Sequence, residues 1–117
     1  MAEININEYV RDRDGYIIKV NNIVPDKDSE DIWYEEKILN GTWKSMIVKH
    51  SKNIIDLIEV GDYVNGYKVV VKNGDLGELV LREDTGFLYI NKGNNISKIK
   101  SIVTKEQFQS IEYKVEE

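Results

Sequence analysis

The chain has no cysteine, a single proline, a single histidine and no apolar run near the ~20 residues that a membrane-crossing helix requires. Without cysteine there is no disulfide framework, no thiolate nucleophile and no thiolate metal site, which fits a reducing intracellular setting. His50 has no second histidine with which to share a transition metal, so it reads as a strand-end residue rather than a ligand or general base. Basic residues are outnumbered, 16 Lys and Arg against 21 Asp and Glu, for a formal charge of −5. Duplex binding is driven by phosphate neutralisation, so this balance argues against nucleic acid as a partner. The start, Met1-Ala2-Glu3-Ile4-Asn5, has neither the basic opening nor the apolar core of a secretory signal, and the expected location is the cytoplasm, with no membrane association. Neither a Gly-x-Ser-x-Gly nucleophile elbow nor a phosphate loop ending in Lys and Ser or Thr occurs. Two acids could still meet in space as a hydrolase pair, but no pair stands out. The expectation is a protein that is not an enzyme and needs no cofactor.

What is present is the composition of a globular domain: 117 residues, 41% hydrophobic and 32% charged, with seven Tyr, two Trp and two Phe to supply burial area. Apolar residues alternate in short runs between turn signals, the pattern of β-strands. Glu8 to Arg11 and Tyr16 to Val20 flank Asp14-Gly15. Asp31 to Glu35 and Trp43 to Lys49 flank Asn40-Gly41. Gly61 to Val64 and Tyr67 to Val71 flank Asn65-Gly66, and Glu78 to Arg82 and Phe87 to Ile90 flank Asp84-Thr85-Gly86. Ile96 to Val103 and Tyr113 to Val115 read as further strands, and Pro25 falls in a charged connection outside all of them. Helix is confined to one or two short turns. One is capped by Ser51, the other by Thr104 with Gln107 in a capping box.

These signals recur. Tyr9-Val10 before Gly15-Tyr16 matches Tyr63-Val64 before Gly66-Tyr67, and Ile47-Val48 before Ser51 matches Ile102-Val103 before Thr104. The offsets, 54 from Tyr9 to Tyr63 and 55 from Val48 to Val103, suggest an internal duplication. The expected fold is therefore mainly β: two small SH3-like barrel half-units, residues 1–59 and 60–117, packed as one domain. Reuse of Tyr-Val and Asn-Gly by unrelated β-proteins is the competing explanation.

Segments Glu8 to Val20 and Gly61 to Val71 resemble the opening strands of SH3-like barrels of the KOW and Tudor group. A longer phrase, Val48-Lys49-His50-Ser51-Lys52-Asn53-Ile54-Ile55-Asp56-Leu57-Ile58-Glu59-Val60-Gly61-Asp62-Tyr63-Val64-Asn65-Gly66, resembles small proteins of phages and prophages of low-GC Gram-positive bacteria. Ile102 to Phe108 and Tyr113-Lys114-Val115 resemble the tail of the same group. Residues 22–45 and 73–95 carry no such likeness. The group brings no functional residue with it. It implies a phage accessory protein acting in the host bacterial cytoplasm, its partner a host defence protein inhibited by anti-CRISPR-like occlusion, or a nucleotide signal that it sequesters.

Two clusters invite chemistry. Asp26, Asp28, Glu30 and Asp31 have some of the spacing of a calcium loop but lack its central Gly and closing Glu, and a solvated loop explains them. Trp33, Tyr34 and Trp43 lie within eleven residues on strands of one hairpin. Neighbours on a strand face opposite ways, so Trp33 and Tyr34 cannot both be core, and one large aromatic is left outward. This hairpin, with the adjoining Lys44, is the candidate binding surface, for a base or a peptide. The competing reading is core plus cross-strand pairing. Tyr9, Tyr16, Tyr63 and Tyr67 read as structural. The alternatives to an inhibitor are a nucleic-acid-binding module using a patch of Lys44, Lys49 and Lys52, and a minor virion protein that assembles into rings; homo-oligomerisation stays open.

Overall fold

A computed structural model describes residues 3–73, 77–91 and 96–111. Over the described residues the protein is mainly β, 49% strand and 16% helical, with three sheets. Its contacts divide it into two compact units, Met1–Leu57 and Ile58–Glu117.

In the first unit β1 (Tyr9–Asp12) lies between β2 (Ile17–Lys19) and β6 (Ile47–Ser51), antiparallel to both. A second sheet orders β3 (Asn22–Pro25), β4 (Ile32–Lys37) and β5 (Asn40–Trp43). The first turn forms at Asp14-Gly15 as expected. Gly15 has φ 87°, and the Asp12 carboxylate accepts the backbone N–H of Asp14 and of Tyr16, each at 3.0 Å. The other Asp12 oxygen accepts the Thr42 hydroxyl at 3.0 Å, tying β1 to β5 through two buried side chains. The core gathers Ile4, Val10, Ile18, Val20, Tyr34 and Ile47, with Ile23 and Ile32 against it. Arg11 is also buried, and its guanidinium donates to the Leu57 carbonyl at 2.9 Å, which answers part of the cost of desolvating a charge.

In the second unit one sheet runs β10 (Gly86–Asn91), β9 (Glu78–Glu83), β8 (Tyr67–Asn73), β7 (Tyr63–Val64), β11 (Ile102–Val103). Asn65 and Gly66 take φ 54° and 85°, the two positive values of a type I′ turn. The inner side chains Val64, Val69, Leu79, Leu81 and Ile90 are fully buried. The helix α1 (Lys105–Ile111) starts on the expected capping box: Thr104 N–H donates to Gln107 Oε1 at 3.1 Å, and Gln107 N–H to Thr104 Oγ1 at 3.3 Å.

The pairing order repeats. The first strand of each unit sits between the second and the last, β2-β1-β6 and β8-β7-β11. Val10 and Val64 occupy equivalent, fully buried places. A 3₁₀ turn precedes the last strand in both (Lys44–Met46 and Ile96–Lys98), and a helical element follows it (Ile54–Leu57 and α1). The bend that separates β2 from β3 has its counterpart in a register shift of β8 between Val69 and Val71.

Several expectations are corrected. No closed barrel forms among the described residues; the sheets are open. The run Trp43 to Lys49 breaks at Lys44–Met46 because the Asp31 carboxylate accepts both the N–H (3.1 Å) and the hydroxyl (2.7 Å) of Ser45. Ile96 to Val103 is strand only at Ile102–Val103, because the Asn65 amide takes up the backbone before it: Nδ2 donates to Lys98 O, and Oδ1 accepts Lys100 N–H and Ser101 N–H. Asn40-Gly41 lies within β5 rather than at its turn, where Leu39 takes the left-handed conformation, φ 65°. Residues 22–25 form an unexpected strand, with Pro25 at its end on the sheet edge, where a missing N–H costs least. Tyr16, read as structural, is 56% exposed. The strand expected at Tyr113 to Val115 lies outside the described residues.

Candidate binding surface

The outer face of the β3-β4-β5 sheet is set by one register. Val24 stands opposite Trp33, and Trp33 opposite Trp43, so the three form a row across the sheet. The indoles meet edge to face, ring centroids 5.2 Å apart at 64°, a favoured aromatic geometry. Trp43 is 38% exposed and Val24 42%. Trp33 is partly buried, and its Nε1–H donates to Glu35 Oε2 at 3.1 Å, which fixes the ring's direction. It lies over Gly41: a Cβ there would fall 2.9 Å from Trp33 Cε2 and Cζ2 and onto the carbonyl oxygen of Tyr34. The glycine is needed for this close approach and not for a turn.

Beside the pair is an open groove of about 590 Å³. Val24, Pro25, Trp33 and Trp43 give it an apolar wall, and Asp26, Lys27 and Asp28 its polar rim. The rim is shaped by its own side chains. Asp26 accepts the Ser29 hydroxyl at 2.6 Å and the Asp28 N–H at 3.2 Å. The Ser29 bond, more than the backbone one, holds the Asp26 carboxyl below its ordinary value, so it stays anionic near neutrality. These are local turn bonds, and they account for the acidic spacing that resembled a calcium loop. Among the described residues no group of three or more potential metal ligands comes together.

Of the residues the sequence singled out, Trp33 and Trp43 are brought together, and the others are not. Tyr34 turns inward, 3% exposed in the core, and burial raises its hydroxyl's pKa. Lys44 lies in the 3₁₀ turn, lining a neighbouring groove with Ser29, Glu30, Asp31 and Ser45. Lys49 stands on β6 opposite Arg11, and Lys52 follows the end of that strand. His50, on β6 opposite Val10, pairs through Nδ1 with Glu8 Oε1 at 2.7 Å. That bond chiefly, with help from Asn5 N–H, lowers the Glu8 carboxyl's pKa. The pair is a structural clasp between β6 and the residue before β1.

Sequence reasoning missed Val24, Pro25 and Gly41. Ile23-Val24 carried a signal for a strand, but Pro25 and the charges after it obscured it.

No family model matches the chain, and neither a curated protein nor a solved structure does. The described residues contain no helix long and apolar enough to cross a membrane.

Proposed function

We propose that the protein is a non-catalytic binding protein that covers a partner protein's surface with the Trp33–Trp43 face. The observation that carries this reading is the cross-strand indole pair, partly exposed beside an apolar groove rimmed by Asp26, Lys27 and Asp28, with two carboxylates to one ammonium. Tryptophan dominates binding energetics because it offers much rigid area at little entropic cost. The rim selects among partners. Carboxylates next to indole faces favour a side chain that is flat or apolar along its length and cationic at its end, above all arginine. A sequestered nucleotide fits the groove less well, because its phosphates would meet Asp26 and Asp28. The resemblance of residues 48–66 to phage and prophage proteins extends the proposal: the covered surface belongs to a host defence factor, and the protein works in the bacterial cytoplasm. The SH3-like character of the units is part of the same reading, supported by the 3₁₀ turn before each last strand and the bent second strand.

Trp33 and Trp43 are the only tryptophans, so intrinsic fluorescence reports on this face alone. Titration with arginine-containing peptides, and with matched peptides carrying glutamate instead, should shift the emission in the first case only. Trp33→Ala should abolish the response while the fold persists. Equal responses to both peptides, or an Ala variant that still binds, would overturn the reading.

A further inference from the structure

The β4-β5 hairpin of the first unit ends in two aliphatic side chains. Ile38 and Leu39, at the turn, are 86% and 90% exposed, the most exposed large hydrophobics among the described residues. Leu39 holds φ 65°, a left-handed conformation that a bulky side chain rarely takes. Asn40-Gly41, a pair that would turn with less strain, stands just after it in β5. Backbone strain and exposed apolar surface therefore coincide at one point, the pattern of a contact surface. Lys37, beside the pair, is also exposed, and among the described residues it makes no ion pair.

The same sheet holds a place of matching chemistry. At the other end of β4 lies the groove walled by Val24, Pro25, Trp33 and Trp43, and its rim sets Asp26 and Asp28 against a single Lys27. Its volume of about 590 Å³ is that of a small-molecule site and exceeds two aliphatic side chains. An aliphatic pair with an ammonium beside it satisfies both the apolar wall and the acidic rim. Ile38 lies five residues beyond Trp33, about 16 Å at the rise of a strand. A two-fold axis midway, near Glu35, brings the turn of each copy onto the groove of the other, so one contact made twice closes the pair. Four aliphatic side chains are then covered, and each Lys37 meets Asp26 and Asp28. The two Glu35 carboxylates approach near the axis and keep the association weak. A lipid surface is the poorer occupant, because Glu35 and Glu36 stand behind the turn and the chain carries a charge of −5.

We infer that two copies of the chain associate through this hairpin, with Lys37, Ile38 and Leu39 of each seated in the tryptophan groove of the other. The inference rests on the reading of that groove as a binding surface and adds its regulation: a paired chain has its groove filled, and a partner protein must displace the second copy to bind.

The test is sedimentation equilibrium of the full chain from about 1 to 300 μM, the range of a small interface. The mass should rise with concentration from one chain towards two, and tryptophan emission should redden on dilution through the same range. Leu39→Asp should weaken association about tenfold or more. Aspartate tolerates the left-handed conformation better than leucine, so this variant should keep the wild-type far-ultraviolet spectrum. Lys37→Glu should weaken association several-fold, and adding Asp28→Lys to the same chain should recover most of the loss; if Leu39→Asp fails to fold, this charge exchange carries the test. At concentrations where the wild type is paired, Leu39→Asp should bind an arginine-containing peptide more tightly, having no copy to displace. A dimer that obeys these substitutions while neither protein answers the peptide would sink the partner reading and leave the dimer standing. The inference itself is overturned by a chain that stays monomeric throughout, including one that collects on phosphatidylcholine vesicles instead, by an undiminished dimer in folded Leu39→Asp, or by no recovery on charge exchange.

Discussion

Replacing Gly41 by alanine should damage the first unit far more than the same change at Gly66, and the two cases separate crowding from backbone strain. At Gly41 the added methyl would sit 2.9 Å from two atoms of the Trp33 ring and on the Tyr34 carbonyl oxygen. The ring could swing away, but the carbonyl is in the adjacent strand and can move only if β4 and β5 separate. Overpacking costs about 1–3 kcal/mol, and a clash that side-chain rotation cannot relieve belongs at the upper end, about 3 kcal/mol. For a chain of this size that corresponds to a melting temperature lower by roughly 10–15 °C. At Gly66 nothing lies within 4 Å of where the methyl would stand, and the cost is that of holding alanine at φ 85°, about 1–2 kcal/mol. Thermal unfolding should be followed by far-ultraviolet circular dichroism and by tryptophan emission. Gly41→Ala should also redden the emission as Trp33 is displaced, and Gly66→Ala should not. A Gly41→Ala protein that melts within about 2 °C of wild type, with unchanged emission, would refute the close packing of Trp33 on β5.

Three further outcomes follow from the packing. Tyr34→Ala should cost about 3–5 kcal/mol by chemical denaturation, since it empties a core position, whereas Trp33→Ala, on the outer face, should cost markedly less. Thr104→Ala removes a capping box and should destabilise α1 by about 1 kcal/mol, read as faster amide exchange in residues 105–108. The Glu8 carboxyl is held below its ordinary 4.5, chiefly by the His50 bond, so the folded state binds its proton less readily than the unfolded chain. Its contribution is full above that ordinary value and is lost as pH falls through the lowered one. Glu8→Gln should therefore reduce stability at pH 6 and reduce it less in strong acid, as measured by denaturant midpoints across pH.

The sequence made the mainly β class, most strand pairs and the capping box legible because each is a local signal. Asn65-Gly66 demanded two positive φ values, and Thr104 with Gln107 is a three-residue spacing. The two shortened strands, Trp43 to Lys49 and Ile96 to Val103, share one cause. Asp31 reaches Ser45, and Asn65 reaches Lys98, Lys100 and Ser101; these side chains convert apparent strands into 3₁₀ turns from a distance that periodicity does not register. Asn40-Gly41 failed differently: the same dipeptide serves a turn in one place and a close approach of strands in another. The candidate surface was half legible. Alternation showed that Trp33 and Tyr34 part company, but which of them turns outward depends on the register of β4 against β3 and β5.

That register is what the proposed binding surface rests on, and nuclear Overhauser contacts of the two indoles read it directly. The expected result is contact between the Trp33 and Trp43 rings and between Trp33 and Val24. Contacts from the Trp33 ring to Val10 and Ile18, with Tyr34 on the outside, would mean a strand slipped by one residue and would contradict the account.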